Sequence, residues 1–211
     1  MGRAFFFAAL AAAFAACARP APGPEFAHAA VGGGESVAVT GYTGGLAAVR
    51  IPAYIDGLPV THIADGAFRG LGLESVEIPP GVTHIGVGAF AGNSLSSVSL
   101  PGGLAHVGHM AFADNLLEAL DLPPGVSVVG NWAFADNRLA SLSISHGAAW
   151  IGQGAFRNNR LTTVTVPASV NRIGSGAFAG NPITEAFVPE RTIIEFNPAG
   201  AFDRGASVTR R

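Results

Sequence analysis

Residues 73–94 read LESVEIPPGVTHIGVGAFAGNS, and the same pattern returns every 22 residues along most of the chain. An Ala-Phe pair ends at Phe68, Phe90, Phe112, Phe134, Phe156 and Phe178, which keep that interval. Three more columns share the register: Leu73, Leu95, Leu117, Leu139, Leu161 and Ile183; Asn93, Asn115, Asn137, Asn159 and Asn181; and Gly86, Gly108, Gly130, Gly152 and Gly174. Four columns in one register predict a solenoid in which each repeat forms one coil.

Each repeat contains one short strand with alternating apolar residues. Val76 and Ile78 are expected to face inward, and Ser75 and Glu77 outward. Pro79 cannot donate to a ladder and ends the strand, and the Pro-Gly that follows turns the chain. A single repeat cannot bury its apolar face alone, so stacked repeats must share one core. We therefore predict a mainly β solenoid of about seven coils of 22 residues, with parallel strands on the concave face and irregular or short-helical return segments.

The Leu-x-x-Val-x-Ile segment is typical of leucine-rich repeats. The appended Ile-Gly-x-x-Ala-Phe-x-x-Asn resembles the BspA-like repeats of surface proteins from treponemes and other bacteria. The resemblance runs from about Val39 to Phe178 and fades afterwards. The unit that starts at Ile183 has two extra residues before Ala201-Phe202 and lacks the Ile-Gly step. We expect residues 35–182 to form the solenoid with its N-terminal cap. Residues 183–211 should form a divergent capping repeat and tail, since terminal repeats need a polar outer face.

The first residues have the composition of a signal peptide. Arg3 precedes an apolar run of 13 residues over 4–16, whereas a bilayer span needs about 20. Cys17 is the only cysteine, and Phe14-Ala15-Ala16-Cys17 resembles the lipobox of bacterial lipoproteins, whose cysteine is acylated. The resemblance implies a signal peptide over 1–16, a lipidated Cys17 and a flexible tether over 17–34. The alternative is cleavage after Ala15, which leaves a free thiol near a flexible end.

Composition and motifs restrict the function. Hydrophobic residues make up 49% of the chain and charged residues 12%, which excludes intrinsic disorder. A net charge of −2 does not suggest nucleic acid or an anionic membrane surface as a partner. The sequence lacks the Gly-x-Ser-x-Gly and His-Glu-x-x-His motifs, and its acidic residues do not converge. We therefore expect no enzymatic activity, no cofactor and no small-molecule substrate.

The outward positions of the predicted concave strands are the candidate binding surface. They are Arg50, Ser75, Glu77, Ser97, Ser99, Asp121, Ser141, Ser143, Thr163, Thr165 and Phe187. This face is rich in hydroxyl groups and slightly acidic, with no aromatic row and no basic stripe. Ser and Thr also suit any solvated strand, so a plain exposed surface is the alternative.

Three histidines occupy another column of the repeat. His62, His84 and His106 are followed in it by Val128, Trp150 and Arg172. Stacked imidazoles are weak candidates for metal ligands, since zinc requires three or four converging ligands. The favoured interpretation is an exposed ladder without a metal.

The family resemblance also implies a role. BspA-like proteins are surface-exposed and commonly adhere to host or matrix proteins. We expect a membrane-anchored lipoprotein of the bacterial cell envelope, in the outer membrane or on the cell surface, that binds another protein. Its contact with the membrane would be through the lipid anchor only. The alternative is a non-enzymatic structural scaffold of the envelope that faces the periplasm.

Overall fold

The chain folds as a β solenoid, in agreement with the predicted fold class. The computed structural model describes residues 25–195, 200–203 and 205–211. These residues form about eight turns with a spacing of about 22 residues and almost no helix. The expected number of coils was about seven. The solenoid is longer because strands also pair on either side of the regular repeats.

The strands fall into three sets, numbered in chain order. The N-terminal region contains β1 (Phe26–Val31), a short 3-10 helix (Gly32–Gly34), β2 (Ser36–Tyr42), β4 (Tyr54–Ile55) and β5 (Leu58–Ile63). The first strands of the coils are β3 (Ala48–Arg50), β6 (Ser75–Glu77), β9 (Ala119–Leu122), β11 (Ser141–Ile144), β13 (Thr163–Thr165), β15 (Glu185–Val188) and β17 (Ser207–Arg210). The second strands are β7 (His84–Ile85), β8 (His106–Val107), β10 (Val128–Val129), β12 (Trp150–Ile151), β14 (Arg172–Ile173) and β16 (Ile193–Ile194).

The long sheet of the solenoid is made by the second strands together with β1, β2 and β5 of the N-terminal region. Its order is β1-β2-β5-β7-β8-β10-β12-β14-β16, and every pair after β1–β2 is parallel. The first strands pair in parallel in three separate groups, β3–β6, β9–β11 and β13–β15–β17. Residues 97–100 form no strand between the first two groups. The return segments, which contain the second strands, are short strands and turns rather than the short helices that were one of the expectations. Their parallel pairing holds the coils in register.

A column of stacked phenylalanine rings runs through the core. Each of the six Phe residues of the repeat column is fully buried. Neighbouring rings from Phe68 to Phe178 are 5.1 to 5.6 Å apart between centroids and nearly parallel, and Phe202 continues the stack at 5.1 Å from Phe178. Each coil therefore buries its aromatic ring against the two neighbouring coils, which couples the repeats energetically.

The asparagine column connects the coils by hydrogen bonds. Asn137 Nδ2 donates to the carbonyl oxygens of Phe112 at 2.9 Å and Phe134 at 3.2 Å. Its Oδ1 accepts from the backbone N–H of Leu117 at 3.0 Å. The five asparagines are 4 to 8% exposed. One buried amide thus satisfies backbone groups of two coils, which would otherwise be costly to bury.

The glycine column allows the coils to approach each other. A Cβ atom on Gly108 would lie 2.6 Å from the carbonyl carbon of Gly86, and one on Gly130 would lie 2.5 Å from that of Gly108. Because these contacts are with backbone, a side chain here cannot be accommodated by a rotamer change. The repeat therefore requires glycine at this step, independently of any ligand.

The two ends differ from the expected boundaries. Residues 26–31, assigned to the tether by sequence, form β1, and Phe26 packs its ring 5.1 Å from that of Tyr42. The tether therefore does not extend over these residues, since an aromatic side chain and a hairpin bind them to the core. At the other end β17 pairs with β15, and Arg210 Nη1 donates to the Thr192 carbonyl oxygen at 2.8 Å. The tail is thus the last strand of the capping turn.

Candidate functional site

The predicted concave positions lie together on one exposed surface, which we call the first-strand face. It consists of the outward side chains of β3, β6, β9, β11, β13, β15 and β17, together with Ser97 and Ser99. All eleven predicted binding residues are exposed except Phe187, which is half-buried. Strand pairing places Ser143 beside Asp121 and Thr165 beside Phe187. The pairing adds one more row, since Thr209 of β17 lies beside Phe187.

The larger groups of the first-strand face are partly engaged within the protein. Arg50 and Glu77 form an ion pair of 3.1 Å, with side chains 58% and 59% exposed. The Arg211 guanidinium lies 4.1 Å from the centroid of the Phe187 ring. Asp121 has no ion pair among the described residues. Asp121 is therefore an available charge of this face, as is Glu185 of β15, which is also exposed and without an ion pair among the described residues.

The histidine column lies on β5, β7 and β8 of the long sheet, where the rings form a stacked ladder. The His62 and His84 rings are 4.4 Å apart with an interplanar angle of 6°, and the His84 and His106 rings are 4.8 Å apart. The rings stack instead of converging on a point, so the three nitrogens do not form a set of metal ligands. Within the described residues no group of three or more His, Cys, Asp or Glu side chains has the geometry to hold a metal ion.

Threonines fix the orientation of two of these rings. Thr61 Oγ1 lies 2.8 Å from His62 Nδ1, and Thr83 Oγ1 lies 2.8 Å from His84 Nδ1. Burial lowers the pKa of His62 and of His84, and for His84 the charges of the His62 and His106 rings lower the pKa further. The neutral forms of His62 and His84 are therefore favoured near neutral pH.

A groove of about 520 Å³ runs beside this ladder. The three histidines line it, together with Gly86 and Gly108 of the glycine column. Asp65, whose Oδ1 accepts from the Val87 backbone N–H at 2.7 Å, also lines it. The groove extends beyond the last ring to Ala38 and Thr40.

A third feature was missed by sequence analysis. The column of positions 66, 88, 110, 132, 154 and 176 has left-handed backbone, with φ between 54° and 64°. Four of the positions are glycine, but the others are Met110 and Trp132, for which this conformation costs about 1–2 kcal/mol. Met110 is 41% exposed. Trp132 lies over Gly154, and the Arg157 guanidinium is 5.6 Å from its ring. The interruption of a glycine column by two large residues was readable in the sequence.

Cys17, the predicted lipidation site, lies outside the described residues. The same is true of the predicted signal peptide over 1–16 and of residues 18–24 of the predicted tether. In the part of the chain that the structure describes, no helix is long and apolar enough to cross a membrane.

Stacked coils with a shared core and exposed rows of side chains define the class of leucine-rich-repeat solenoids. The family described as the BspA type leucine rich repeat region matches residues 61–184 in six copies. The chain therefore belongs to this family, and the resemblance seen in the sequence is confirmed. A search of curated protein sequences finds no match.

Solved structures show the same fold. A leucine rich cell surface protein from Faecalibacterium prausnitzii is similar at 23% identity with a TM-score of 0.59, over 78% of this chain and 53% of that one. The pneumococcal vaccine antigen PcpA is similar at 23% identity with a TM-score of 0.63, over 80% and 49% of the two chains. The leucine rich repeat protein of T. pallidum is similar at 26% identity with a TM-score of 0.50, over 81% and 72%. The present chain spans about half the length of the first two proteins.

Membership in the family gives a coarse functional conclusion. Leucine-rich-repeat solenoids generally bind other proteins, and they are typically not enzymes. The fold of this chain is thus that of an interaction module.

Proposed function

We propose that this protein is an exported lipoprotein of the bacterial cell envelope that binds another protein through the first-strand face. The observation that carries the proposal is the regular array of this face. Outward side chains of parallel strands occupy fixed positions above a continuous core of phenylalanine rings. A partner can therefore bind without ordering the surface first, which reduces the entropy cost of association.

The small side chains of the face favour a close approach by the partner. Most of its rows carry Ser or Thr, whose hydroxyl groups donate and accept hydrogen bonds. Specificity then depends on the few larger groups, of which Asp121 carries a charge without an ion pair among the described residues. The partner that fits is a protein surface with a donor or a basic side chain opposite Asp121.

Export and anchoring rest on the sequence of residues 1–17. The apolar run, the small residues before the cysteine and the single Cys17 fit a lipoprotein signal. An acylated cysteine carries two or more chains, which suffice for stable anchoring at about 0.8 kcal/mol per buried methylene. One structural neighbour is a cell surface protein, which is consistent with an exported role for this chain.

The anchor is tested by metabolic labelling with an alkyne-bearing fatty acid. The wild type should incorporate the label and partition with membranes, whereas Cys17→Ala should remain unlabelled and soluble. Labelling or membrane partition of the variant would contradict the lipoprotein assignment. Protease treatment of intact cells then separates a surface protein, which is degraded, from a scaffold that faces the periplasm, which is protected until the outer membrane is opened.

The binding face is tested by charge reversal at Glu77 and Asp121 together. Because both side chains are exposed, each change should alter the free energy of unfolding by no more than about 0.5–1 kcal/mol. Binding to a panel of immobilised host and matrix proteins, measured by surface plasmon resonance, should nevertheless fall for the partner found. His84→Ala, on the other set of strands, is the matched control and should bind that partner normally. Loss of binding in the control but not in the double variant would refute the assignment of the face.

A further inference from the structure

The histidine ladder is a second candidate site, and its chemistry differs from that of the first-strand face. We propose that the adjacent rings of His62 and His84, when both are protonated, bind a carboxylate from an acidic segment of a partner protein and release it at neutral pH. This inference does not rest on the proposed function of the first-strand face. It rests on the orientation of the two rings, on their spacing and on the charges around them.

The two rings have the same orientation. Nδ1 of each ring lies 2.8 Å from the hydroxyl oxygen of the preceding threonine, Thr61 for His62 and Thr83 for His84. The ring planes are parallel to within 6°, and their centroids are 4.4 Å apart. Since the rings are parallel and are held by equivalent contacts, their Nε2 atoms lie on the same side of the stack. Neither Nε2 atom forms a hydrogen bond to the described residues.

Protonation determines the hydrogen-bonding role of every nitrogen in the pair. Both nitrogens of an imidazolium donate, whereas in a neutral ring one donates and the other accepts. The threonine hydroxyl accepts the Nδ1–H of each protonated ring, so the Nε2–H of each ring is left to donate to a ligand. Two such donors on adjacent rings match the two oxygens of one carboxylate, which accept a charge-assisted hydrogen bond each. The doubly protonated pair therefore offers a carboxylate site, whichever tautomers the neutral rings adopt.

The charges around the rings make this site dependent on pH. Asp65 is the carboxylate that lines the groove beside the ladder, and β2 contributes only uncharged side chains to the groove. At neutral pH the two rings are uncharged, since burial lowers the pKa of His62 and of His84, and Asp65 repels a second carboxylate. When both rings are protonated, their positive charges exceed the single negative charge of Asp65 and attract the ligand.

The other neighbours of the pair add no further carboxylate. β8 continues the stack with His106, and β10 follows with the uncharged Val128. His109 stands in the repeat column of Asp65, and Arg69 lies near Gly88. These groups are cations or become cations on acidification, so the preference of the charged ladder for an anion is maintained.

Repulsion between the charged rings links binding to proton uptake. Two positive charges at the 4.4 Å spacing of the rings repel each other. Burial is the larger cause of the lowered pKa of His84, and repulsion by His62 and His106 adds to it. A carboxylate bound to both Nε2–H groups neutralises part of this charge and stabilises the doubly protonated pair. Binding must therefore take up protons at a pH where the free rings are mainly neutral.

The extent of the ladder favours a short acidic segment over a long polyanion. The stack contains three rings, and the paired positions at its two ends are Ala38 and Val128. The affinity of a protein for nucleic acid grows with the number of phosphates that its basic side chains neutralise, and three rings neutralise few. A protein segment with one or two ionised Asp or Glu side chains does not need a longer row. The ligand that fits is thus an acidic protein segment.

The test uses the full chain and three short probes, which are acetyl-Glu-Gly-Glu-amide, its glutamine analogue and a thymidine tetranucleotide. Isothermal titration calorimetry measures binding at about pH 5 and about pH 7.5, on either side of the histidine range, and glutamate is mainly ionised at both values. The glutamate peptide should bind at least about tenfold more tightly at the lower pH, since one coupled proton changes the affinity up to about tenfold per pH unit. The glutamine peptide should show no such change.

Proton uptake is measured directly at about pH 6.5, where the free rings are mainly neutral. Titrations of the glutamate peptide in two buffers with different ionisation enthalpies should give different apparent binding enthalpies, because the buffer supplies the protons that the rings take up. The sign of the difference should correspond to uptake rather than release. Release of protons, or no transfer, would contradict the linkage.

Two variants locate the site. His62→Val and His84→Val each remove one donor of the pair, and valine is compatible with the column because Val128 occupies it in a later coil. Each folded variant, checked by circular dichroism, should bind the glutamate peptide about tenfold or more weakly at the lower pH and should lose proton uptake. His146→Val replaces an exposed histidine that does not line the groove, and this control should bind normally.

Four outcomes would overturn the proposal. Unchanged affinity in both His62→Val and His84→Val would show that the peptide binds elsewhere. An equal loss in His146→Val would show that the total charge of the protein, rather than the paired rings, governs binding. Equal affinity of the wild type at the two pH values would remove the role of protonation. Tighter binding of the tetranucleotide than of the glutamate peptide at the lower pH would identify a nucleic-acid site instead.

Discussion

Replacement of Phe134 by alanine tests whether the stacked rings hold the solenoid together. Phe134 is fully buried and lies 5.3 Å from the Phe112 ring and 5.6 Å from the Phe156 ring, both nearly parallel to it. Deleting a buried phenylalanine side chain costs about 3–5 kcal/mol, including two aromatic contacts of about 0.5–1.5 kcal/mol each. For a chain of this size 1 kcal/mol lowers the melting temperature by roughly 2–4 °C, so a decrease of roughly 6–20 °C is expected.

Thermal unfolding followed by far-UV circular dichroism measures this decrease, and tryptophan fluorescence reports the affected coil because Trp132 belongs to it. Phe202→Ala is the matched comparison. Phe202 is 7% exposed and stacks on Phe178 at the last turn, with one ring neighbour instead of two. Its replacement should therefore lower the melting temperature by roughly half as much. Equal losses at the two positions, or a loss below about 1 kcal/mol at Phe134, would show that the stack does not couple the coils.

Four further changes probe the other columns. Asn137→Ala should cost roughly 3 kcal/mol or more in chemical denaturation, because it leaves several buried backbone groups unsatisfied; a loss below about 1 kcal/mol would contradict the role of the amide. Gly108→Ala should prevent the close approach of two coils and reduce soluble yield, whereas Gly102→Ala, where a Cβ meets nothing within 4 Å, should fold normally. Met110→Gly should maintain or raise the free energy of unfolding, by up to about 1 kcal/mol, since glycine relieves the left-handed strain, and a clear decrease would argue against strain. Because burial lowers the folded-state pKa of His84, the unfolded chain binds more protons, and the melting temperature should fall as the pH drops through 6.5, the ordinary pKa of histidine. This pH dependence should be weaker in His84→Phe, and an identical pH profile would refute it.

The repeat columns were informative about function only in part. The position of Asp121 on an exposed strand followed from alternation, and the structure places it there. The engagement of Glu77 by Arg50 and of Phe187 by Arg211 did not follow, because the partners are a whole coil or more away in the sequence. Likewise, the period placed three histidines in one column, but it did not show the contacts of Thr61 with His62 and of Thr83 with His84.

The sequence by itself determined the period, the inward and outward positions and the type of fold. These properties depend on a one-dimensional pattern, since alternation sets the face of a strand and a constant spacing sets the register of the coils. Only the tertiary structure decided which strands pair continuously. The segments 97–99 and 141–143 have the same alternation, yet only the second pairs as a strand. The tertiary structure also decided that residues 26–31 belong to the solenoid, because the Phe26 ring packs against the Tyr42 ring. Pairing and end packing depend on distances between backbone segments that are remote in sequence, and a periodic pattern does not contain those distances.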